Sequence, residues 1–366
     1  MKFVDEFRDV EIARCLIKRI NTAMDKLNRQ VRFMEVCGTH TMSIFRHGIK
    51  AVLPSSITLL SGPGCPVCVT PTSYIDQCIT LGRQVEDVVV CSFADMLDVP
   101  GSFSSLSRER ASGADIRDVY SPRDALDIAV RNPNLQVVFM AVGFETTSPV
   151  IAATIMEAKE KGIHNFSILS AHKLIPPAMK LLVEDGEVDI DGFICPAHVS
   201  AITGSEAYRF LAEEYDLPCV VTGFEPLDIL QGILMLVLQI IRKEPEVEIQ
   251  YSRIVKKNGN PTALRLLSEV FVRADTEWRG LGTVPESGLC LSGGFADFDA
   301  QKRFRIKAFR HEEPQGCICG QILKGVRIPS QCLLFGKSCK PSSPVGPCMV
   351  SREGTCAAYY KYGEGL

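Results

Sequence analysis

Six of the fifteen cysteines in this 366-residue chain fall in its last 50 residues, as Cys317-x-Cys319-x12-Cys332-x6-Cys339-x8-Cys348-x7-Cys356. Thiolates gathered in a segment rich in glycine and proline suit zinc or an iron–sulfur cluster. Zinc usually takes C-x2-C pairs. The run has none, which favours a [4Fe–4S] cluster. Four thiols of the six would complete such a cluster and leave two to pair beside it as a redox disulfide.

A second set lies near the N-terminus. Ser61-Gly-Pro-Gly-Cys65-Pro-Val-Cys68-Val-Thr-Pro71 reads as a strand end, a rigid turn and a helix start. A helix N-terminus stabilises a thiolate through its free N–H groups and dipole. Cys37, in Cys37-Gly-Thr-His40, ends another strand. Cys37, Cys65 and Cys68 are therefore expected to wall one thiol site, fed with electrons by the C-terminal cysteines. Thiolates select soft metals, iron and zinc among them. His40 would move protons, bind the metal or simply hydrogen-bond backbone. His172 and His198 also follow strand ends, and Glu145 and Glu225 stand at helix starts. Asp95 and Asp98 are either loop caps or site groups. Cys15, Cys78, Cys91, Cys195, Cys219 and Cys290 sit among apolar residues and read as small core side chains.

Strands and helices must place these groups. Periodicity predicts a helix over 5–29 and strands at 31–36, 57–60 and 87–93. Thr70-Pro71 is a good helix start, and that helix would run to about 81. Residues 100–121 read as loop with a short helix, and 122–130 as a helix. From 135 to 241 apolar strands (135–142, 166–170, 193–195, 219–221) alternate with helices. That pattern argues for parallel sheets covered on both faces. Beyond 245 come a strand-like segment, a helix near 261–274 and the irregular cysteine-rich tail. The expected architecture is α/β: two doubly wound parallel-sheet domains facing a cleft, residues 1–131 and 132–245, and a third domain, 246–366, for the cluster.

Taken together these motifs resemble the HypD family, hydrogenase expression/formation proteins that mature [NiFe] hydrogenases. The likeness rests on Phe33-Met-Glu-Val-Cys-Gly-Thr-His-Thr41, Gly62-Pro-Gly-Cys-Pro-Val-Cys-Val-Thr-Pro71 and Val142-Gly-Phe-Glu-Thr-Thr147. It extends over Ser170-Ala-His-Lys173, Gly223-Phe-Glu-Pro226, Cys332–Cys339 and Cys348–Cys356. The resemblance implies a scaffold that works with a HypC-type chaperone. On it an iron ion receives two cyanides, supplied by HypE with HypF upstream, and one carbon monoxide. The Fe(CN)2CO unit then passes to the hydrogenase large subunit. It implies Cys37 as leading iron ligand, shared with a partner cysteine, and Cys65 with Cys68 as further ligands or a switchable disulfide. It also implies Cys317, Cys332, Cys339 and Cys356 as [4Fe–4S] ligands, with Cys319 and Cys348 as the adjacent disulfide. Cys317 and Cys319 are able to exchange roles.

A formal charge of −3 gives no sign of nucleic acid or an anionic membrane as partner. The longest apolar run, 229–241, is shorter than a membrane span, and the N-terminus lacks an apolar signal core. A cytoplasmic location is the expectation. Two other classes compete: a general thiol–disulfide oxidoreductase driven by an iron–sulfur cluster, and a zinc-stabilised interaction module.

Overall fold

The computed structural model describes residues 5–306 and 314–363. Nine strands form two parallel sheets. The first contains β1 (Val31–Glu35), β2 (Ile57–Ser61), β7 (Gly192–Pro196), β8 (Cys219–Thr222) and β9 (Val247–Ile249), in the order β2-β1-β7-β8-β9. The second contains β3 (Val88–Ser92), β4 (Ile116–Asp118), β5 (Gln136–Gly143) and β6 (Phe166–His172), in the order β4-β3-β5-β6. A hairpin, β10 (Phe271–Trp278) and β11 (Gly282–Leu291), is antiparallel.

The central strands β3, β5, β7 and β8 read as continuous apolar runs because they are buried on both faces. In β5, Val137, Phe139 and Ala141 face the helices Pro122–Arg131 and Ser148–Glu160. Val138, Met140 and Val142 face the helices Thr72–Gln84 and Ile175–Asp185. In β1, Val31 and Phe33 pack with the helices Val10–Leu27 and Pro226–Arg242, and Met34 points the other way. The cluster holding Met34 and Met140 runs on into Ile322, Leu323, Cys348 and Met349. The cysteine-rich tail thus shares its core with both sheets instead of building one, as its scarcity of aliphatic residues requires.

Several boundaries differ from expectation. The division at 131/132 does not coincide with a sheet boundary. β1 pairs with β2 and β7, while β3 pairs with β4 and β5, so both sheets draw on both expected domains. β9 carries residues 247–249 into the first sheet. The helix expected near 261–274 spans Pro261–Val270, and Phe271 opens β10, which is buried only at its two ends, Phe271 and Trp278. β4 lies inside 100–121, too short to show a period. Cys15 and Cys290 are exposed, not core side chains. Cys15 lies on the outer face of its helix, and Cys290 on the solvent side of the hairpin.

In each sheet the chain order reverses once, between β1 and β7 and between β3 and β5. The crevice beyond the carboxyl ends at such a reversal is where open α/β sheets hold ligands. Cys37 and His198 follow β1 and β7, and Glu145 follows β5.

Candidate thiol and metal centre

The Cys65–Cys68 turn is set by close backbone approach. Gly62 N–H donates to Glu35 O (2.7 Å) and Gly38 N–H to Gly64 O (2.9 Å), tying the ends of β1 and β2 together. A Cβ on Gly64 would lie 2.1 Å from Cys37 N, so only glycine fits. The helix expected to begin at Thr70-Pro71 is preceded by a shorter one, Pro66–Val69, whose N-cap is Cys65. Cys68 N–H donates to Cys65 Sγ (3.3 Å), and Cys68 is fully buried. Pro66 at the first helical position fixes that turn. Burial pushes the Cys68 thiol well above its ordinary value, Cys348 drawing it back and Cys65 adding to the rise.

Cys348 is the link between the two cysteine sets. It stands at the start of the helix Pro347–Val350, against Cys68 on one side and Cys319 on the other. The Cys319 and Cys348 Sγ atoms are 2.6 Å apart. Sulfur follows sulfur from Cys65 through Cys68 and Cys348 to Cys319. All four side chains are buried.

Beyond Cys319 lies a small cavity of about 20 Å³ lined by Cys317, Cys319, Cys332, Cys339, Cys348 and Cys356, with Ile322, Leu334, Phe335 and Met349. Its donor set is thiol alone and its remaining wall is apolar, the environment that suits an iron–sulfur cluster. Among the described residues, no three His, Cys, Asp or Glu side chains stand at the spacing that holds a single ion. Each thiolate of a four-iron cluster binds a different iron, so its ligands stand further apart than those of one ion. Cys37, Cys65, Cys68 and His40 are likewise not gathered into one single-ion ligand set.

Cys37 caps the helix Gly38–Arg46. Burial pushes its thiol up to about 12, the His40 and Thr39 amides oppose that, and Glu353 and Glu35 add to it. Glu35 lies beneath: it accepts from Cys37 N–H (3.1 Å) and Thr41 Oγ1 (2.5 Å). Burial raises its carboxyl to about 8. Glu353 comes from the tail. Its Oε1 accepts from Thr39 Oγ1 (2.7 Å), and its Cβ and carbonyl pack where a Gly38 side chain would be. Glu35 and Glu353 both stand inside recognised motifs, but nothing in their spacing singles them out. The signal for Glu35 is an acid in an otherwise apolar strand end.

His40 Nε2 lies 2.9 Å from Thr222 Oγ1, 3.1 Å from Gly223 O and 3.3 Å from Thr222 O; the two carbonyls can only accept, which favours the tautomer with the proton on Nε2. Nδ1 is buried without a partner. Burial lowers the imidazole to about 4, leaving it neutral. The rings of His40 and His198 flank Phe224 at 4.7 and 4.3 Å. His198 is exposed at the surface, and its imidazole is lowered by the protein packed around it and raised by Glu353.

The other candidates lie elsewhere. Glu145 lines an apolar cavity of about 950 Å³ between the helix Ile175–Asp185 and the hairpin. One of its oxygens accepts from Ile175 N–H (2.9 Å), and the other has no partner. Glu225, in the second Gly-Phe-Glu run, is instead a surface acid paired with Arg8 at 2.6 Å. His172 is buried against Ser170 and Phe271, with Nε2 unpartnered. Asp95 and Asp98 are exposed.

Comparison with known proteins agrees with the motif assignment. The family model described as "HypD: Hydrogenase formation hypA family" matches residues 11–363. The hydrogenase maturation factor HypD2 of Bradyrhizobium diazoefficiens is 48% identical over 372 residues, covering 100% of this chain and 97% of that protein. The HypD maturation factor of Azotobacter vinelandii is 47% identical, covering 100% and 97%. That of Escherichia coli strain K12 is 43% identical, covering 100% and 99%. Among solved structures, a D-threo-3-hydroxyaspartate dehydratase from Delftia sp. HT23 aligns with a TM-score of 0.14 at 15% identity, over 66% of this chain and 58% of that one. A likeness that low carries no argument. The motifs, the family match across the chain and the full-length identity to several maturation factors agree: the chain belongs to the HypD family.

Proposed function

We propose that this chain is a hydrogenase maturation factor that holds iron, as cargo, while the Fe(CN)2CO unit is built. Cys37 is the leading ligand, shared with a cysteine of a HypC-type chaperone, and Cys65 and Cys68 are its reducible neighbours. HypE, charged by HypF, delivers the cyanide, and the hydrogenase large subunit receives the finished unit. The observation that carries this reading is the unbroken run of sulfurs from Cys65 to Cys319, ending at a cavity of thiols beside the turn that contacts Cys37.

That run supports a definite exchange. With Cys65–Cys68 oxidised, the Cys348 thiolate attacks Cys68 Sγ; the old S–S bond breaks and Cys65 leaves as a thiolate that takes a proton. The Cys319 thiolate then attacks Cys348 Sγ, frees Cys68 and closes Cys319–Cys348. Two electrons and two protons reopen that disulfide. Cys317, Cys332, Cys339 and Cys356 would hold a [4Fe–4S] cluster, which supplies one-electron chemistry next to the disulfide. Burial raises Cys68 well above the ordinary thiol value, and, against the opposing contacts of Cys317 and Cys319, hydrogen bonding among the neighbouring thiols together with burial raises Cys319 and Cys348, so each attack, and iron binding by a thiolate of this run, begins with the loss of a proton.

The test is anaerobic co-purification with the chaperone, followed by infrared spectroscopy where metal-bound CO and CN⁻ stretch. The bands are expected in the parent and absent from Cys37→Ala; bands that persist in Cys37→Ala defeat the assignment. The same run of sulfurs also favours a general thiol–disulfide oxidoreductase driven by an iron–sulfur cluster. Iron analysis of the co-purified complex separates the two, because only the scaffold carries iron beyond the cluster.

A further inference from the structure

The tail that carries the cysteine cavity differs in charge from the rest of the chain. Residues 314–363 hold six Lys and Arg and one acid, Glu353, within a protein of formal charge −3. Lys324 is committed to Asp185 and Glu187. Arg327, Lys337, Lys340, Arg352 and Lys361 form no ion pair among the described residues. Leu333, 79% exposed, stands next to Cys332 in the segment that also carries Lys337 and Lys340.

The loop around it is tightly made. Phe335 N–H donates to Cys332 O (3.1 Å), Lys337 N–H to Leu334 O (3.1 Å) and Cys339 N–H to Leu334 O (2.9 Å). Lys337 and Lys340 therefore share a hydrogen-bonded loop with Leu333. The Phe335 and Tyr360 rings lie 6.1 Å apart, bringing the helix Thr355–Tyr362, with exposed Tyr360 and Lys361, alongside. Cys332 and Cys317 are the half-buried members of the thiol cavity, and the other four are buried. An exposed apolar side chain thus shares one loop with two unpaired cations and stands next to a half-buried thiol of the cavity.

We propose that this face docks a small acidic one-electron carrier protein, which reduces the cavity's redox centre. The proposal rests on the thiol-relay reading above. Charge complementarity selects the partner's sign and speeds encounter, and a small contact suits a carrier that must leave after each electron. Two dockings deliver two electrons. With two protons these open the Cys319–Cys348 disulfide to two thiols and leave two oxidised carriers.

The experiment uses the full-length protein purified without oxygen, an acidic [2Fe–2S] ferredoxin as probe and basic cytochrome c as control. Calorimetry at low salt is expected to show ferredoxin binding that weakens at least about tenfold in Lys337→Glu/Lys340→Glu or in 0.5 M salt, since surface attraction is screened. Leu333→Ser is expected to weaken binding at all salt concentrations. Binding indifferent to salt and to the charge reversals overturns the proposal, as does equal affinity for cytochrome c. If the charge reversals abolish chaperone co-purification and leave ferredoxin binding intact, the face belongs to the chaperone and the proposal falls. Visible thiolate–iron absorption reports the underlying reading separately. Salt-dependent ferredoxin binding by protein that lacks that absorption supports the surface and removes the cluster.

Discussion

A carboxyl buried without a full set of partners stays protonated, and at residue scale that makes Glu145 a stability switch. Burial raises it to about 7, with the Glu145 and Ile175 amides and Arg273 opposing. Below the ordinary carboxylate pKa, both native and unfolded chains hold the proton. Between there and pH 7 the unfolded chain loses it first, so native stability falls as pH rises, by about 3 kcal/mol in all, and is flat above. Glu145→Gln lacks this term. Its stability relative to the parent, from urea midpoints, should therefore be about 3 kcal/mol more favourable at pH 8 than at pH 4; a difference that does not change with pH would show the carboxylate is ionised in place. At this scale the sequence was legible where the residue type is itself the signal. Cys37, Cys65 and Cys68 stood out as thiols at strand ends. Glu35, Glu353 and the partner-free atoms of His40 and Glu145 did not, because burial depends on how the elements pack, and the partners of Glu353 and His40 stand 314 and about 180 positions away.

Elements hold the thiols in register, and two can be probed without touching a cysteine. Gly64→Ala would drive a Cβ into Cys37 N and the Val36 carbonyl carbon at 2.1 and 2.3 Å. It should cost at least about 3 kcal/mol in urea unfolding. Gly82→Ala, in the helix Thr72–Gln84, meets only ordinary contacts at 3.7 Å and should stabilise by up to about 1 kcal/mol. Equal effects would remove the case that β1 and β2 must touch. The hairpin turn is a second clamp. Buried Arg279 donates from its backbone N–H to Val69 O (2.8 Å), from Nε to Thr70 O (3.1 Å) and from an Nη to Thr72 Oγ1 (2.5 Å). Arg279→Ala should cost about 2 kcal/mol and quicken alkylation of Cys65 and Cys68 through local opening; unchanged alkylation would free the hairpin of this role. Strands with unbroken apolar runs, such as β3 and β5, were legible. The short helix Pro66–Val69 was not, since four residues give no period and Cys65 is an unusual cap. The hairpin was masked because Phe271 extends the apolar pattern of the helix before it.

In the whole molecule, one sheet is interrupted by the other: β1 and β2 are laid down, β3 to β6 follow as a separate sheet, and only then do β7 to β9 complete the first. Residues 1–131 hold β3 without β5 and β1 without β7, so that fragment should stay largely unfolded by circular dichroism; a cooperative transition in it would contradict the interleaving. The sequence showed that the sheets are parallel and covered on both faces, because burial writes itself into composition. It did not show which strand joins which sheet, since the central strands of both sheets are alike in their apolar runs. This order has a consequence for birth on the ribosome. About 130 residues separate the end of β2 from the start of β7, roughly ten seconds of synthesis. Throughout that wait Cys37, Cys65 and Cys68 hang on an unfinished edge, within reach of oxidants and stray metals. A nascent chain of this design has reason to be met early by a companion that shields its sulfurs.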